Sequence, residues 1–492
     1  MRRGLIALTI LLGLGLLLQF GCNGNTRFQA ASNGGGSASL AVFGGDAPEC
    51  GVLSFQVEVT EVDLVPQGGG TSVVALSSSD AISVDFAALT GFHTILNLAT
   101  VPAGTYSQAK ITLSNPQITI LDTTVNPPAA ETIPTSFPSS AATVTAHPNI
   151  NPVLVIQNGA PQGLILDFNL RKSIQVDGSG QVTGVVNPTF RVLPSVITLV
   201  KGLGELDDLH GTVESVSTTS SDPNFVGSFT LQRPSGRTLL VNVTNSTEFE
   251  NVSGLSGLAP GMFVEFDAHV DAKGNITAEE VEVEEQTDVT RAVLFGTVTS
   301  VSPSLGGASS FRLFVREEFP DVENVVPLRS QVTVNITANT VMRVAFGAQS
   351  VNQAGLLFST TSITPAEHVA VLVPISGSMP QSIFNANGIV LRQHGYLGNL
   401  SGTPTVSASD PKAGLFSFTI CSPTLQGQPV TVVTFSDTQY ENGLTDLPSL
   451  TSTQTLIVRG LLFYEAGPVT INGMPVSTPG WVLEAGVVRE LQ

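Results

Sequence analysis

The side chains able to do chemistry in this 492-residue chain are few and scattered. Asp46, Glu58, Glu61 and Asp63, with Glu49 beside them, could converge on a hard cation such as Ca²⁺, which takes about six to eight oxygen ligands. The set follows no calcium-loop spacing, and no metal or cofactor is assigned to the chain. A second acidic run, Glu279, Glu280, Glu282, Glu284 and Glu285, alternates with Val281 and Val283, which is the pattern of a strand with one wet face. Paired carboxylates could serve a glycosidase, yet strands this dense in acid single out no pair. The six histidines, at 93, 147, 210, 269, 368 and 394, lack the i, i+2 or i, i+4 pairing that would set two ligands on one face, and each reads as structural or surface. No Cys-x-x-Cys, nucleophile elbow or phosphate-cradling glycine loop is present. The chain is accordingly read as non-enzymatic.

The cysteines say more about place than about reaction. Cys22 ends a leader in which Met1-Arg2-Arg3 precedes an apolar run from Gly4 to Leu18, the order of an export signal. With Gly21 directly before it, Cys22 resembles the lipobox cysteine of bacterial lipoproteins, although Gln19 stands where leucine is usual. That resemblance implies a mature protein acylated at Cys22 and held on a membrane by its lipid, in the cell envelope and on a periplasmic or surface face of the outer membrane. An uncut signal anchor and an ordinary cleaved signal are the alternatives. Cys50 and Cys421 read as two separate thiols; export would also permit a bridge between them, clamping the first domain to the last.

The elements that must position these residues are strands. With 48 glycines, 30 prolines and only 12% charged residues, the composition is that of many short strands joined by tight turns, an all-β body. A net charge of −19 argues against nucleic acid as a partner, because such a surface repels phosphate backbones. Within Val52 to Val65, Leu53, Phe55, Val57 and Val59 occupy one phase of the alternation, while Val62 and Leu64 occupy the other. A bulge near Thr60-Glu61 is needed to keep both sets on the core side. Residues 123–151, rich in Pro, Thr, Ser and Ala, read as a long surface excursion. Asp46-Ala47-Pro48, Val84-Asp85-Phe86, Pro102-Ala103-Gly104-Thr105-Tyr106 and Leu166-Asp167-Phe168 together resemble the bacterial family known as domain of unknown function 4382. The resemblance implies an exported, often lipid-anchored, transthyretin- or immunoglobulin-like sandwich, and it carries over no catalytic residues.

The rest of the chain repeats. Gly211-Thr212-Val213, Phe229-Thr230-Leu231, Val241-Asn242-Val243 and Leu258-Ala259-Pro260-Gly261 open a unit that recurs from Gly296-Thr297-Val298 and, more loosely and without the Leu-Ala-Pro-Gly turn, from Leu397-Gly398. Each copy holds enough alternating strands for a small closed barrel, with a glycine where the first strand coils around a corner. The pattern is similar to a second uncharacterised family of exported repeat domains. The expected order is a leader (1–22), a flexible linker (23–37), a β-sandwich (38–200) and three OB-like β-barrels in a row (206–286, 291–394, 396–492). The reading is a cell-envelope lipoprotein that binds an extracytoplasmic protein or polysaccharide. Its alternatives are an accessory factor or hydrolase acting on envelope glycans, and a scaffold subunit of an envelope assembly.

Overall fold

The computed structural model describes residues 36–491 apart from short stretches, of which 196–204 and 284–290 are the longest. The leader, with Cys22, and most of the linker lie outside the described residues, as do Glu284 and Glu285. Among the described residues helix is confined to isolated turns such as Leu170–Ser173, and no helix is long and apolar enough to cross a membrane.

The first domain is a sandwich made by one sheet turning back over itself. In one layer the strands run Thr94–Pro102, Ser37–Ala47, Gln162–Asn169, Phe190–Ser195, Asn149–Ile156. In the other, Val73–Leu76 and Ile82–Asp85 flank Val52–Pro66, which pairs with the long strand Gly104–Asp122. The layers join where Asn149–Ile156 pairs with both Phe190–Ser195 and the start of Gly104–Asp122. Phe55, Phe86 and Phe168 fill the space between them, with Phe168 about 5 Å from each of the other two rings. The register of Val52–Pro66 against its long neighbour slips between Val59 and Glu61, and this slip turns Val57, Val59, Val62 and Leu64 to the same core. The Pro/Thr/Ser-rich segment departs from the expected excursion. Ala129–Ile133 and Thr143–Ala146 pair with Gly104–Asp122, and Phe137 between them enters the core.

Three small barrels follow on one scheme, the first and third closed by strand pairing and the middle one nearly so. In the first, Glu205–Ser217 pairs with Gly227–Gln232 and with Phe263–Val270; Thr238–Val243 continues from the second strand, and Ile276–Val283 closes the ring by pairing parallel with it and antiparallel with Phe263–Val270. The order around the ring is one, two, three, five, four, the Greek-key order of OB-type barrels. His394–Val406 to Gly480–Glu490 repeats it, so the loosest copy in sequence closes the same way. In the middle copy the fifth strand is broken. Ile383–Asn385 lies parallel to Gln331–Asn335, while Gly388–Arg392 lies antiparallel to His368–Pro374. Gly211, Gly296 and Gly398 mark the corners: a Cβ at each would strike the carbonyl oxygen of Gln232, Phe314 or Thr419 on the neighbouring strand.

The barrels do not stand in a row; each packs against the sandwich. Ala41, Phe43 and Ile95 of the sandwich complete the core of the first barrel. Phe314 of the second is buried among Leu53, Leu121 and Ala130. The third approaches so closely that Gly395 has no room for a Cβ beside the Thr90 carbonyl. The barrels also meet each other, through Phe263 stacked on Phe319 at 4.2 Å and through Leu461 and Phe463, which enter the core of the second barrel. Apolar residues on the outward phase of these strands are buried by neighbouring domains, which is why a string of separate modules is not the stable arrangement.

Candidate functional site

Where the sandwich, the second barrel and the third barrel meet, a small crevice of about 80 Å³ opens to solvent. Each domain brings polar groups to it. Asp85 closes the strand Ile82–Asp85, and its carboxylate accepts from Ser54 Oγ and the Phe55 backbone N–H, both at 2.9 Å. Arg316 lies on the outward phase of Ser310–Phe319, two residues beyond Phe314, so the docking that buries the phenyl ring also delivers the guanidinium. Arg316 Nη1 donates to Asp85 at 2.8 Å and its Nε donates to Thr297 Oγ1 at 3.3 Å. From the third barrel, His394 stacks on His368 with centroids 5.3 Å apart and meets the edge of Tyr396 at the same separation.

Burial decides the protonation states here. His394 is driven down to about 3 by loss of solvent and then by the nearby Arg316 charge, so it is a neutral imidazole at physiological pH. Glu367, beside this group, is pushed well above the carboxylate range by burial. Tyr396 is raised well above its usual value by burial and then by Glu367, so its hydroxyl stays intact and donates to the Ala366 carbonyl at 3.3 Å. The junction therefore holds one matched ion pair, a neutral imidazole, and a carboxyl and a hydroxyl whose ionisation burial opposes.

A second buried polar group lies between the sandwich and the third barrel. Asp46 is 1% exposed, and its carboxyl is raised well above the usual range, first by burial and then by Asp167. His93 is lowered to about 3 by burial, with Arg489 and Arg459 adding to the effect. Cys50 and Cys421 are joined in a disulfide with Cα atoms 5.2 Å apart, which corrects the reading of two separate thiols. The bridge borders the crevice, because Cys421 is one of its lining residues.

The proposed cation set does not assemble. Asp46 pairs in register with Phe168 in one layer, whereas Glu58, Glu61 and Asp63 lie on a strand of the other. Glu58 is occupied by Ser114 Oγ at 2.5 Å and Asn115 Nδ2 at 2.9 Å. Among the described residues no three His, Cys, Asp or Glu side chains gather to hold a metal ion. The wet-face reading of the second acidic run is corrected in part. Arg343 of the second barrel reaches Glu282 at 3.0 Å, leaving that carboxylate side chain 4% exposed, and Arg392 covers Glu265 at 2.6 Å. Sequence reasoning does not single out Arg316, Asp85 or His394 as site residues; the signal for Arg316 is its place with Arg312 and Phe314 on one phase of the strand Phe311 to Phe319.

The fold and junction define an all-β protein in which a sandwich gathers small OB-type barrels around itself. Residues 37–183 match the family model described as Domain of unknown function (DUF4382), and residues 210–282 match Domain of unknown function (DUF5666). No curated protein matches the chain. Among solved structures, drosophila Unr CSD456 is 12% identical, with 58% of this chain and 97% of that chain covered at a TM-score of 0.13. The single-stranded DNA binding protein from Thermus aquaticus is also 12% identical, with 42% and 93% covered at a TM-score of 0.15.

Proposed function

We propose that the protein is a non-enzymatic cell-envelope lipoprotein, anchored through Cys22, that binds an extracytoplasmic partner, with polysaccharide favoured over protein. The observation that carries this reading is the fate of one face on each barrel. In barrels with this strand order, ligands settle on the face of the second and third strands. The second barrel uses that face to dock on the sandwich through Arg312, Phe314 and Arg316. The first barrel leaves its face outward, and the third does so in part, since Leu415 and Val433 on it are packed with Ile471 and Val476. Alternation along Gly227–Gln232 and Thr238–Val243 turns Ser228, Thr230, Gln232 and Asn242 out, with Leu240 58% exposed among them. On the third barrel the matching positions include Ser417, Thr419 and Thr431. Hydroxyls and amides without a basic or aromatic side chain among these outward strand positions suit a neutral polyhydroxyl chain and offer nothing to a phosphate backbone or a stacked base.

The test uses the full chain in detergent on a glycan array, with mass analysis of Cys22. Retention of one class of envelope polysaccharide, reduced when Thr230 and Gln232 are both changed to alanine, is the expected result. Turnover of an envelope sugar, or an unacylated Cys22 in a protein recovered with the cytosol, would overturn it.

A further inference from the structure

We propose that one end of the sandwich is the surface on which the protein meets the lipid bilayer, with the third barrel carried at the opposite, outer end. The inference rests on the lipoprotein reading above and deepens it by naming the face that the anchored chain turns to its membrane. The chain arriving from Cys22 joins the body at one defined place, where Gly36 and Ser37 enter the strand Ser37–Ala47 among three turns. Ala103 N–H donates to the Gly36 carbonyl at 2.8 Å, Gly159 N–H to the Ser37 carbonyl at 3.0 Å, and Gln67 N–H to the Thr105 carbonyl at 2.9 Å. Residues 67–72, 102–104 and 157–160 thus gather around the point of attachment. Even fully extended, the chain from Cys22 to Gly36 spans at most about 50 Å, at about 3.5 Å per residue.

The two ends of the sandwich differ in chemistry. Gln67-Gly68-Gly69-Gly70-Thr71-Ser72, Pro102-Ala103-Gly104 and Gln157-Asn158-Gly159-Ala160 hold no ionisable side chain, in a chain of net charge −19. Gln67, Thr71, Gln157 and Asn158 are exposed there. At the margin Lys110 donates to Ser72 Oγ at 3.0 Å with Asp63 opposite it in register, so the two add no net charge. The far ends of the same strands, with the turns beyond them, carry Asp46, Glu49, Asp85, Asp122, Arg171 and Lys172. The third barrel sits at that far end, through Gly395 against the Thr90 carbonyl and through the Cys50–Cys421 bridge. Ser37–Ala47 runs from one end to the other, about 35 Å. Carboxylates are repelled by anionic headgroups within about a Debye length, roughly 8 Å at physiological salt. An end made of glycine, amide and hydroxyl groups meets no such repulsion, and its amide side chains can donate to headgroup phosphates. The acyl chains supply the affinity, and this end sets the orientation.

The full chain is reconstituted in vesicles of phosphatidylethanolamine with a minority of phosphatidylglycerol and a lipid bearing a headgroup nitroxide, which quenches nearby tryptophan. The chain has one tryptophan, Trp481, at the start of the strand Gly480–Glu490 of the third barrel. Arg489, near the other end of that strand, is the residue whose charge meets Asp46 and Asp167 of the sandwich, so Trp481 reports on the outer barrel. Thr71→Trp adds a reporter in an exposed turn of the proposed seat, with an unchanged melting temperature as the check on folding. The nitroxide is expected to quench the added emission and to leave that of Trp481 unchanged. Changing Gln67 and Gln157 to glutamate in the Thr71→Trp chain is expected to lessen this quenching, and not to lessen it in phosphatidylcholine vesicles. Quenching of Trp481, or none of the added tryptophan in a chain that floats with the vesicles, would show that a different face or no face meets the bilayer, and the proposal fails. Quenching indifferent to the added glutamates would leave the linker alone to set the position, and also defeats it. An unmodified Cys22 in a chain that does not float rejects the lipoprotein reading itself, an outcome told apart by mass and flotation before any quenching is read.

Discussion

Arg316 Nη1 lies 2.8 Å from the Asp85 carboxylate across the joint between the second barrel and the sandwich, and the two side chains are only 6% and 13% exposed. Two charges removed from water this completely depend on each other. Asp85→Ala leaves the guanidinium buried without its counter-charge and also removes the acceptor for Ser54 Oγ and the Phe55 N–H. A loss of about 3–5 kcal/mol is expected. Arg316→Met leaves a carboxylate that still accepts two hydrogen bonds, and the smaller loss, about 2 kcal/mol, should appear as a lesser shift of the denaturant midpoint. Equal shifts would contradict this account of the joint.

Phe314 should govern docking of the second barrel. Its ring is fully buried among Leu53, Leu121 and Ala130, all supplied by the sandwich. Phe314→Ala removes a large apolar contact at a site facing another domain, for a loss of about 3–5 kcal/mol. Because the barrel's own core faces the other way, hydrogen exchange should rise along Val52–Pro66 and Gly104–Asp122 and stay nearly unchanged in Gln331–Asn335. Uniform loosening of the barrel would mean the residue serves its own domain instead.

These two residues also show where the chain was legible and where it was not. Strand alternation is local, so the register slip after Val59 and the corner glycines Gly211, Gly296 and Gly398 follow from sequence alone. Alternation separates inward from outward, but it does not say whether outward means water. Phe314, Arg316 and Glu282 all occupy the outward phase of a barrel strand, and all three are covered by another domain. The same gap hid the pairing of Cys50 with Cys421, 371 residues apart, and the burial of Asp46 and His394. A site built at a domain junction takes its members from positions that no local pattern links.

The disulfide should matter most to the third barrel. It ties the sandwich to that barrel across a long stretch of chain, and its effect on the unfolded ensemble is about 2–4 kcal/mol. Changing both Cys50 and Cys421 to serine should lower the melting temperature and speed proteolysis or hydrogen exchange in His394–Val406. The first barrel holds to the sandwich through its own apolar contacts with Ala41 and Phe43, so exchange in Gly227–Gln232 should not move. Loss of protection in both barrels would show that the bridge supports the whole assembly.

Glu280 should make stability depend on pH near neutrality. Burial, followed by the charges of Glu282, Glu248 and Glu250, raises its carboxyl from 4.5 to about 7. The folded chain thus holds this proton more tightly than the unfolded chain does. Between about pH 4.5 and 7 the native state carries the extra proton, so stability falls as pH rises through that window, and above it the full penalty of an ionised Glu280 is present. Glu280→Gln removes the penalty. The half-exposed position calls for a strong discount for solvent screening, leaving an expected gain of about 1 kcal/mol at pH 8 and none at pH 4. Thermal unfolding of both proteins across this range checks the sign. A variant less stable than the parent at pH 8 would mean that an ionised Glu280 is stabilised there by a positive charge.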